Sequence, residues 1–309
     1  MAKPKNVSAE HAVGVSILVS VGDILLNIIV AVFTQSAVML AQALQGAADL
    51  TTALLLLIGV KKSDRKADAT HPFGFGREVF FWTLLASIFA LVVTGGFAIT
   101  QGVRQILDPQ NVMFPLIALG MLSFGFVTNA YSMHVSLRRL GYTLQNADTK
   151  ATLRRIFHSS LVETKTTLLI DLMGTLSALV GFVSLFIFWL TGEVFFDGIG
   201  AVIVGGLIVA GAVLLIYNLR GFIVGISPRP EVINEIKRTT LSVKHVQDVL
   251  DLRAITVGSG KIFVVVEVHF ADDLNTDEVE TTTDRIKQKL KKRLPMITRV
   301  QIEAETPEK

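Results

Sequence analysis

The first two-thirds of the chain alternates long apolar runs with short polar or basic loops. Helical runs of about 20 residues cross a hydrocarbon core about 30 Å thick. Six spans are predicted, over residues 12–33, 38–60, 79–101, 112–135, 160–190 and 196–217. The fifth is long enough to tilt or to project beyond the bilayer. Little more than TQSA separates the first two, which makes them antiparallel neighbours.

The pattern changes after Gly225. SPRPEV carries two prolines and predicts a linker followed by a helix start. Helical periodicity appears near 231–242 and 276–293. In the second stretch Val279, Ile286, Leu290 and Leu294 form an apolar stripe. Strand patterns fit 247–256, 261–270 and 298–305, with the turn VGSGK joining the first two. Ile262, Val264, Val266 and Val268 share one face, and Glu267 and His269 the other. In RVQIEAE, Val300, Ile302 and Ala304 oppose Gln301, Glu303 and Glu305. The order αββαβ predicts a small α+β domain with helices on one face of a sheet. The expected fold is therefore an α-helical membrane protein. It has a six-helix transmembrane bundle over residues 1–220 and a soluble domain over 228–309.

Composition agrees. The chain is 51% apolar and 18% charged, against about a quarter charged in soluble domains. It has no cysteine, which excludes disulfides and thiolate metal sites. A net charge of +3 gives no reason to expect nucleic acid as a partner. The start, MAKPKNVSAEH, runs into a full-length span without a small-residue cleavage pattern, which predicts an uncleaved first helix. Lys61, Lys62, Arg65, Lys66 and Arg77 follow span two; Arg138, Arg139, Lys150, Arg154 and Arg155 follow span four. Arg104 stands alone on the opposite side. The positive-inside rule then puts both termini in the cytoplasm.

Against this background the intramembrane acids stand out. Asp49, in ALQGAADL, is the only ionised side chain from Val38 to Val60. A carboxylate at the centre of a span costs at least about 2.5–3.5 kcal/mol, and such residues normally face the bundle interior and mark an ion path. Gln45 lies four residues earlier on the same helix face, where its oxygen can share an ion with Asp49. An amide there can equally be glue between helices. Span five repeats the arrangement in TLLID, with Thr167 one turn before Asp171. Four oxygens from two helices suit a hard cation such as manganese, magnesium or calcium; zinc and copper more often recruit imidazole or sulfur. Asp23, with Asn27 one turn later, is a third such acid. It fits a group behind the ligands, a proton relay, or a residue in a wet vestibule. Asp68 and His71, in the loop after span two, are close enough to coordinate one ion or to form a turn under span three.

Here the chain resembles the cation diffusion facilitator family of metal transporters. SAVMLAQALQGAADL is similar to the family's second span, THPFGFGREVFFW to its loop into span three, and DLMGTLSALVG to its fifth span. The resemblance covers nearly the whole chain. It implies a ferredoxin-like cytoplasmic tail, a homodimer and exchange of metal for protons. It implies a tetrahedral transport site made of Gln45, Asp49, Thr167 and Asp171. The two aspartates match the family pattern, whereas Gln45 and Thr167 stand where His, Asp or Asn is usual. The loop site keeps Asp68 and His71, with Phe75 in the third place. The tail positions corresponding to the family's metal sites are Glu267, His269, Glu303 and Glu305, which also fit an ordinary solvated sheet face.

Two functions follow. One is a secondary transporter exporting a divalent cation, with manganese, iron and zinc all open, in exchange for protons. The other is a non-transporting or altered-substrate relative acting as a metal sensor or assembly partner. No phosphate loop, nucleophile elbow or zinc-protease motif points to an enzyme, and no cofactor beyond the transported cation is expected.

Overall fold

The computed structural model describes the backbone of residues 9–139 and 162–307, with side chains at 21–134, 166 and 168–307. The chain divides into two units. One gathers helices within residues 9–58, 82–139 and 164–217; the other gathers residues 59–81 and 218–307.

The first unit is helical. Helix α1 is Ala9–Thr34, α2 is Ala37–Ser63, α5 is Pro115–Arg139, α6 is Val162–Thr191 and α7 is Phe195–Val224. The third span is one continuous run, Glu78–Leu107. It consists of α3 (Glu78–Phe89), a π-helical turn (Ala90–Gly95) and α4 (Gly96–Leu107). Among the described residues, five spans are long and apolar enough to cross a bilayer, and Val21–Thr34 is a shorter apolar stretch within α1. Large apolar side chains such as Leu25, Phe33, Val92, Phe124 and Tyr217 point outward. That is the expected surface of a bundle in lipid. The core holds Val38, Met39, Leu122, Leu185 and Val204.

Local chemistry sets the break between α1 and α2. Gln35 takes a left-handed backbone with φ of 54°. Ser36 Oγ then accepts from the Met39 N–H at 3.2 Å, an N-terminal cap. Helices α4 and α7 pack backbone to backbone. A Cβ on Gly102 would lie 2.7 Å from the Val202 nitrogen and 2.8 Å from the Gly198 carbonyl oxygen. Only small residues admit that approach.

The second unit contains α8 (Pro230–Leu241), β1 (Val246–Gly258), β2 (Lys261–Phe270), α9 (Thr276–Arg293) and β3 (Ile297–Ala304). The strands lie in order β1-β2-β3, with β1 antiparallel and β3 parallel to β2. Ile262, Val264, Val266 and Val268 are all buried against Ile236, Ile286 and Leu290 of the helices. The expected face alternation is present. Helix α9 starts with a reciprocal capping box between Asn275 and Glu278, at 2.9 and 3.0 Å.

The loop 64–77 belongs to this unit. Lys261 Nζ bonds Asp64 Oδ1 and the Ser63 carbonyl, each at 2.9 Å. Phe73 lies 5.6 Å from Phe263, with the Arg299 guanidinium 5.4 Å from the Phe73 ring. A Cβ on Gly76 would stand 2.5 Å from the Val257 carbonyl oxygen, so the loop touches the β1–β2 hairpin through bare backbone.

Candidate cation site

Helix α2 carries the first half of the site. Gln45 is 5% exposed, and its Nε2 donates to Asp49 Oδ1 at 2.9 Å. The four-residue spacing predicts this meeting. Ser177 of α6 brings its hydroxyl to 3.5 Å from Gln45 Oε1. Gln45 and Asp49 line a cavity of about 40 Å³ with Thr52, Ser87, Ala90 and Met173. That volume exceeds the roughly 10–15 Å³ needed for one water-sized occupant. The π-helical turn contributes Ala90 to the wall.

Asp171 of α6 is 8% exposed and does not line that cavity. Its Oδ1 accepts from Ser132 of α5 at 2.9 Å. Asp23 pairs with Asn27, whose Nδ2 donates to its carbonyl at 2.9 Å and to Oδ2 at 3.3 Å. Thr167 lies in α6 one turn before Asp171, but its side chain is outside the described residues. Asp49 and Asp171 thus lie on separate helices, each with its own hydrogen-bond donor. To share one cation, Asp171 must leave Ser132 and the Gln45 amide must turn its oxygen inward.

In the loop, Asp68 Oδ1 accepts from the Thr70 hydroxyl at 2.7 Å and from the N–H groups of His71 at 2.7 Å and Thr70 at 3.0 Å. The Thr70 hydroxyl bond, then the backbone bonds, hold the Asp68 carboxyl below its ordinary range. Such a group supports the folded turn above its ordinary pKa and loses that effect as pH falls through the depressed value. His71 Nδ1 is 3.6 Å from Asp68 Oδ1. The His71 ring packs, tilted by 32°, against Phe75 at 4.1 Å between centroids, and the Arg65 guanidinium lies 4.3 Å from the Phe75 ring. An aromatic and cationic staple therefore occupies the third position of the loop site.

On the sheet, Glu267 pairs in register with Glu303 on one side and Asp251 on the other. His269 pairs with Asp248, and its Nδ1 lies 3.3 Å from the Glu305 carbonyl oxygen. Gln301 Nε2 donates to Glu303 Oε1 at 2.8 Å. The four predicted tail residues share one sheet region. Among the described residues no three His, Asp or Glu side chains converge closely enough to hold a metal ion.

Ser132 and Ser177 are not legible from sequence, since hydroxyls are too common in membrane helices to signal a role. Asp197 is another residue that sequence reasoning missed. It is fully buried in the first turn of α7 and accepts from Ser36 Oγ at 2.6 Å, the Ala37 N–H at 2.7 Å, the Val38 N–H at 3.2 Å and Gln105 Nε2 at 3.1 Å. With both oxygens occupied by donors it is an anchor for the start of α2, not a cation ligand. An acid in the first turn of an apolar span was the available signal.

Fold and site together define an integral, multi-pass membrane protein with acidic groups held between its helices. A family model for the cation efflux transmembrane domain matches residues 13–220, and one for the cation efflux protein cytoplasmic domain matches residues 228–306. The chain belongs to the cation efflux, or cation diffusion facilitator, family, whose members are transporters and not enzymes. It is 25% identical over 239 residues to the mouse protein named proton-coupled zinc antiporter SLC30A9, mitochondrial, covering 77% of this chain and 42% of that one. It is 23% identical over 241 residues to metal tolerance protein C4 of Arabidopsis thaliana, covering 77% and 52%. The chain thus spans about half or less of the length of these relatives. Among solved structures, a nickel form of a MamM C-terminal domain variant matches at 20% identity and a TM-score of 0.25, covering 26% of this chain and 100% of that one.

Proposed function

We propose that the protein is a secondary transporter that moves a divalent metal cation out of the cytoplasm in exchange for protons. The observation carrying this is the Gln45–Asp49 pair, lining a cavity within a matched efflux domain. Carboxylates must be deprotonated to ligate, so metal affinity falls as pH falls, and protons arriving at Asp49 and Asp171 would displace the ion. Gln45, Asp49, Thr167 and Asp171 are the proposed ligands. Transport is assigned to residues 1–220 and dimerisation or regulation to 228–309, with both termini cytoplasmic and the active form a homodimer. Asp68 with His71, and Glu267, His269, Glu303 and Glu305, are proposed as accessory metal contacts.

The oxygen-only set favours a hard cation such as manganese. The mouse relative's name, which says zinc, supports the competing choice. A second function, a non-transporting sensor or assembly partner, draws on one specific feature. The Gln45 amide already satisfies Asp49 through its N–H, so the pair stands without metal. Calorimetry separates the two. Manganese, iron and zinc are titrated into the purified protein and into Asp49→Asn. Binding that disappears with Asp49→Asn supports the transport site. Binding of no ion that depends on Asp49 favours the second function.

A further inference from the structure

A cavity of about 310 Å³ lies wholly within the second unit, where the loop 64–77 meets the sheet. Its wall holds three cationic side chains: Arg65 of the loop, Lys261 of β2 and Arg299 of β3. It also holds three phenyl rings, those of Phe73, Phe75 and Phe263, and no carboxylate lines it. The strand register explains the gathering. Phe263 and Arg299 are partners across β2 and β3, and Lys261 lies two residues before Phe263 on the same face. That face is opposite the one carrying Ile262 and Val264 into the core. The acids of β2 and β3 on this face start at the Glu267–Glu303 pair, four residues beyond Phe263 and about 13 Å along the strand.

Each guanidinium rests against a ring, Arg65 on Phe75 at 4.3 Å and Arg299 on Phe73 at 5.4 Å. Such a contact orients the guanidinium plane and leaves its N–H edge for hydrogen bonds. Neither guanidinium pairs with an acid among the described residues. Lys261 bonds Asp64 and the Ser63 carbonyl, and an ammonium has a third N–H to give. Asp64 thus offsets one of the three charges. Guanidinium forks match phosphate oxygens two at a time, and a phosphate has oxygens enough to meet three cationic groups at once. The volume is near the lower bound of small-molecule sites, roughly 300 Å³. Ser63, the last residue of α2, is part of the wall. A helix of 27 residues is about 40 Å long, which brings its end to the head-group level of a bilayer.

We propose that this cavity binds a phosphate-bearing anion, either the head group of an acidic phospholipid or a soluble phosphate. Arg65 and Arg299 grip the phosphate oxygens, Lys261 adds its remaining N–H, and the phenyl rings pack against the group the phosphate carries. Because the loop supplies Arg65 and the strands supply Lys261 and Arg299, the bound anion ties the loop to the sheet. The site is separate from the Gln45–Asp49 cavity, and the inference stands whether or not the protein transports a cation.

The test titrates the full chain in detergent, by calorimetry, with inorganic phosphate and with phosphatidic acid or phosphatidylcholine in mixed micelles. Saturable binding of phosphate assigns a soluble ligand; binding of phosphatidic acid without binding of phosphate assigns a lipid head group; either supports the site. Affinity is expected to fall at least about tenfold in Arg65→Gln and in Arg299→Gln, since each removes a charge-assisted fork. Arg299→Lys, which keeps the charge and loses the fork, should recover part of it. The bound probe should also slow proteolysis of the 59–81 region in the unsubstituted protein and not in the two Gln variants. Binding of neither probe, equal binding of phosphatidylcholine and phosphatidic acid, or unchanged affinity in both Gln variants overturns the proposal. So does a loss of affinity accompanied in both variants by faster proteolysis without any probe, because the two arginines would then be structural.

Discussion

At the residue scale, the proposed cation binding turns on which group holds each carboxylate. Ser132 donates to Asp171 and would compete with a cation for it in the proposed site. Hydrogen bonds to charged groups contribute about 1.5–3 kcal/mol. Ser132→Ala should therefore raise metal affinity by about tenfold, read by calorimetry, and unchanged affinity would mean that Asp171 is not a ligand. Gln45→Asp adds a charged oxygen and should strengthen hard-cation binding, whereas Gln45→His should shift preference toward zinc in the same titration. Asp197 plays a different part. Asp197→Ala strands four donors around a fully buried position. The expected cost is about 2–3 kcal/mol, seen as a lower Tm in detergent. Asp49 was legible in the sequence because a lone acid in an apolar run has few uses. Asp197 was not, because the edge of a span normally tolerates acids, and only the fold shows Ser36 and Gln105 converging on it.

At the element scale, the spans were the most legible part. Among the described residues apolar length alone placed five of the six expected, with Val21–Thr34 a shorter apolar stretch, and the described ends differ from expectation where local chemistry intervenes. The third span was expected over 79–101 and continues to Leu107, passing through the π-helical turn that no hydropathy window registers. The strands followed their period of two: β2 is Lys261–Phe270, the range expected. The packing of His71 against Phe75 and the docking of the loop on the hairpin were not legible. A hydropathy pattern carries no ring geometry, and the docking joins residues far apart in sequence. The loop docking should be more sensitive to shape than to charge. Lys261→Ala removes a partly exposed ion pair worth about 0–1 kcal/mol. Gly76→Ala drives a methyl to within 2.5 Å of the Val257 carbonyl oxygen. Limited proteolysis of the 59–81 region should accelerate more in Gly76→Ala than in Lys261→Ala; the reverse order would mean that the ion pair holds the loop.

At the scale of the whole molecule, Asp49 and Asp171 serve one purpose only if their half-sites meet during a transport cycle. The present arrangement keeps each satisfied without metal, through Gln45 and Ser132. That is the state expected before a cation arrives, since an unpaired carboxylate in the membrane is costly. The most direct test loads the protein into vesicles and follows metal entry and proton exit together under an imposed metal gradient. The unsubstituted protein should show both fluxes in fixed proportion, and Asp49→Ala and Asp171→Ala should each abolish both. Normal coupled flux in either single variant would contradict the proposed site.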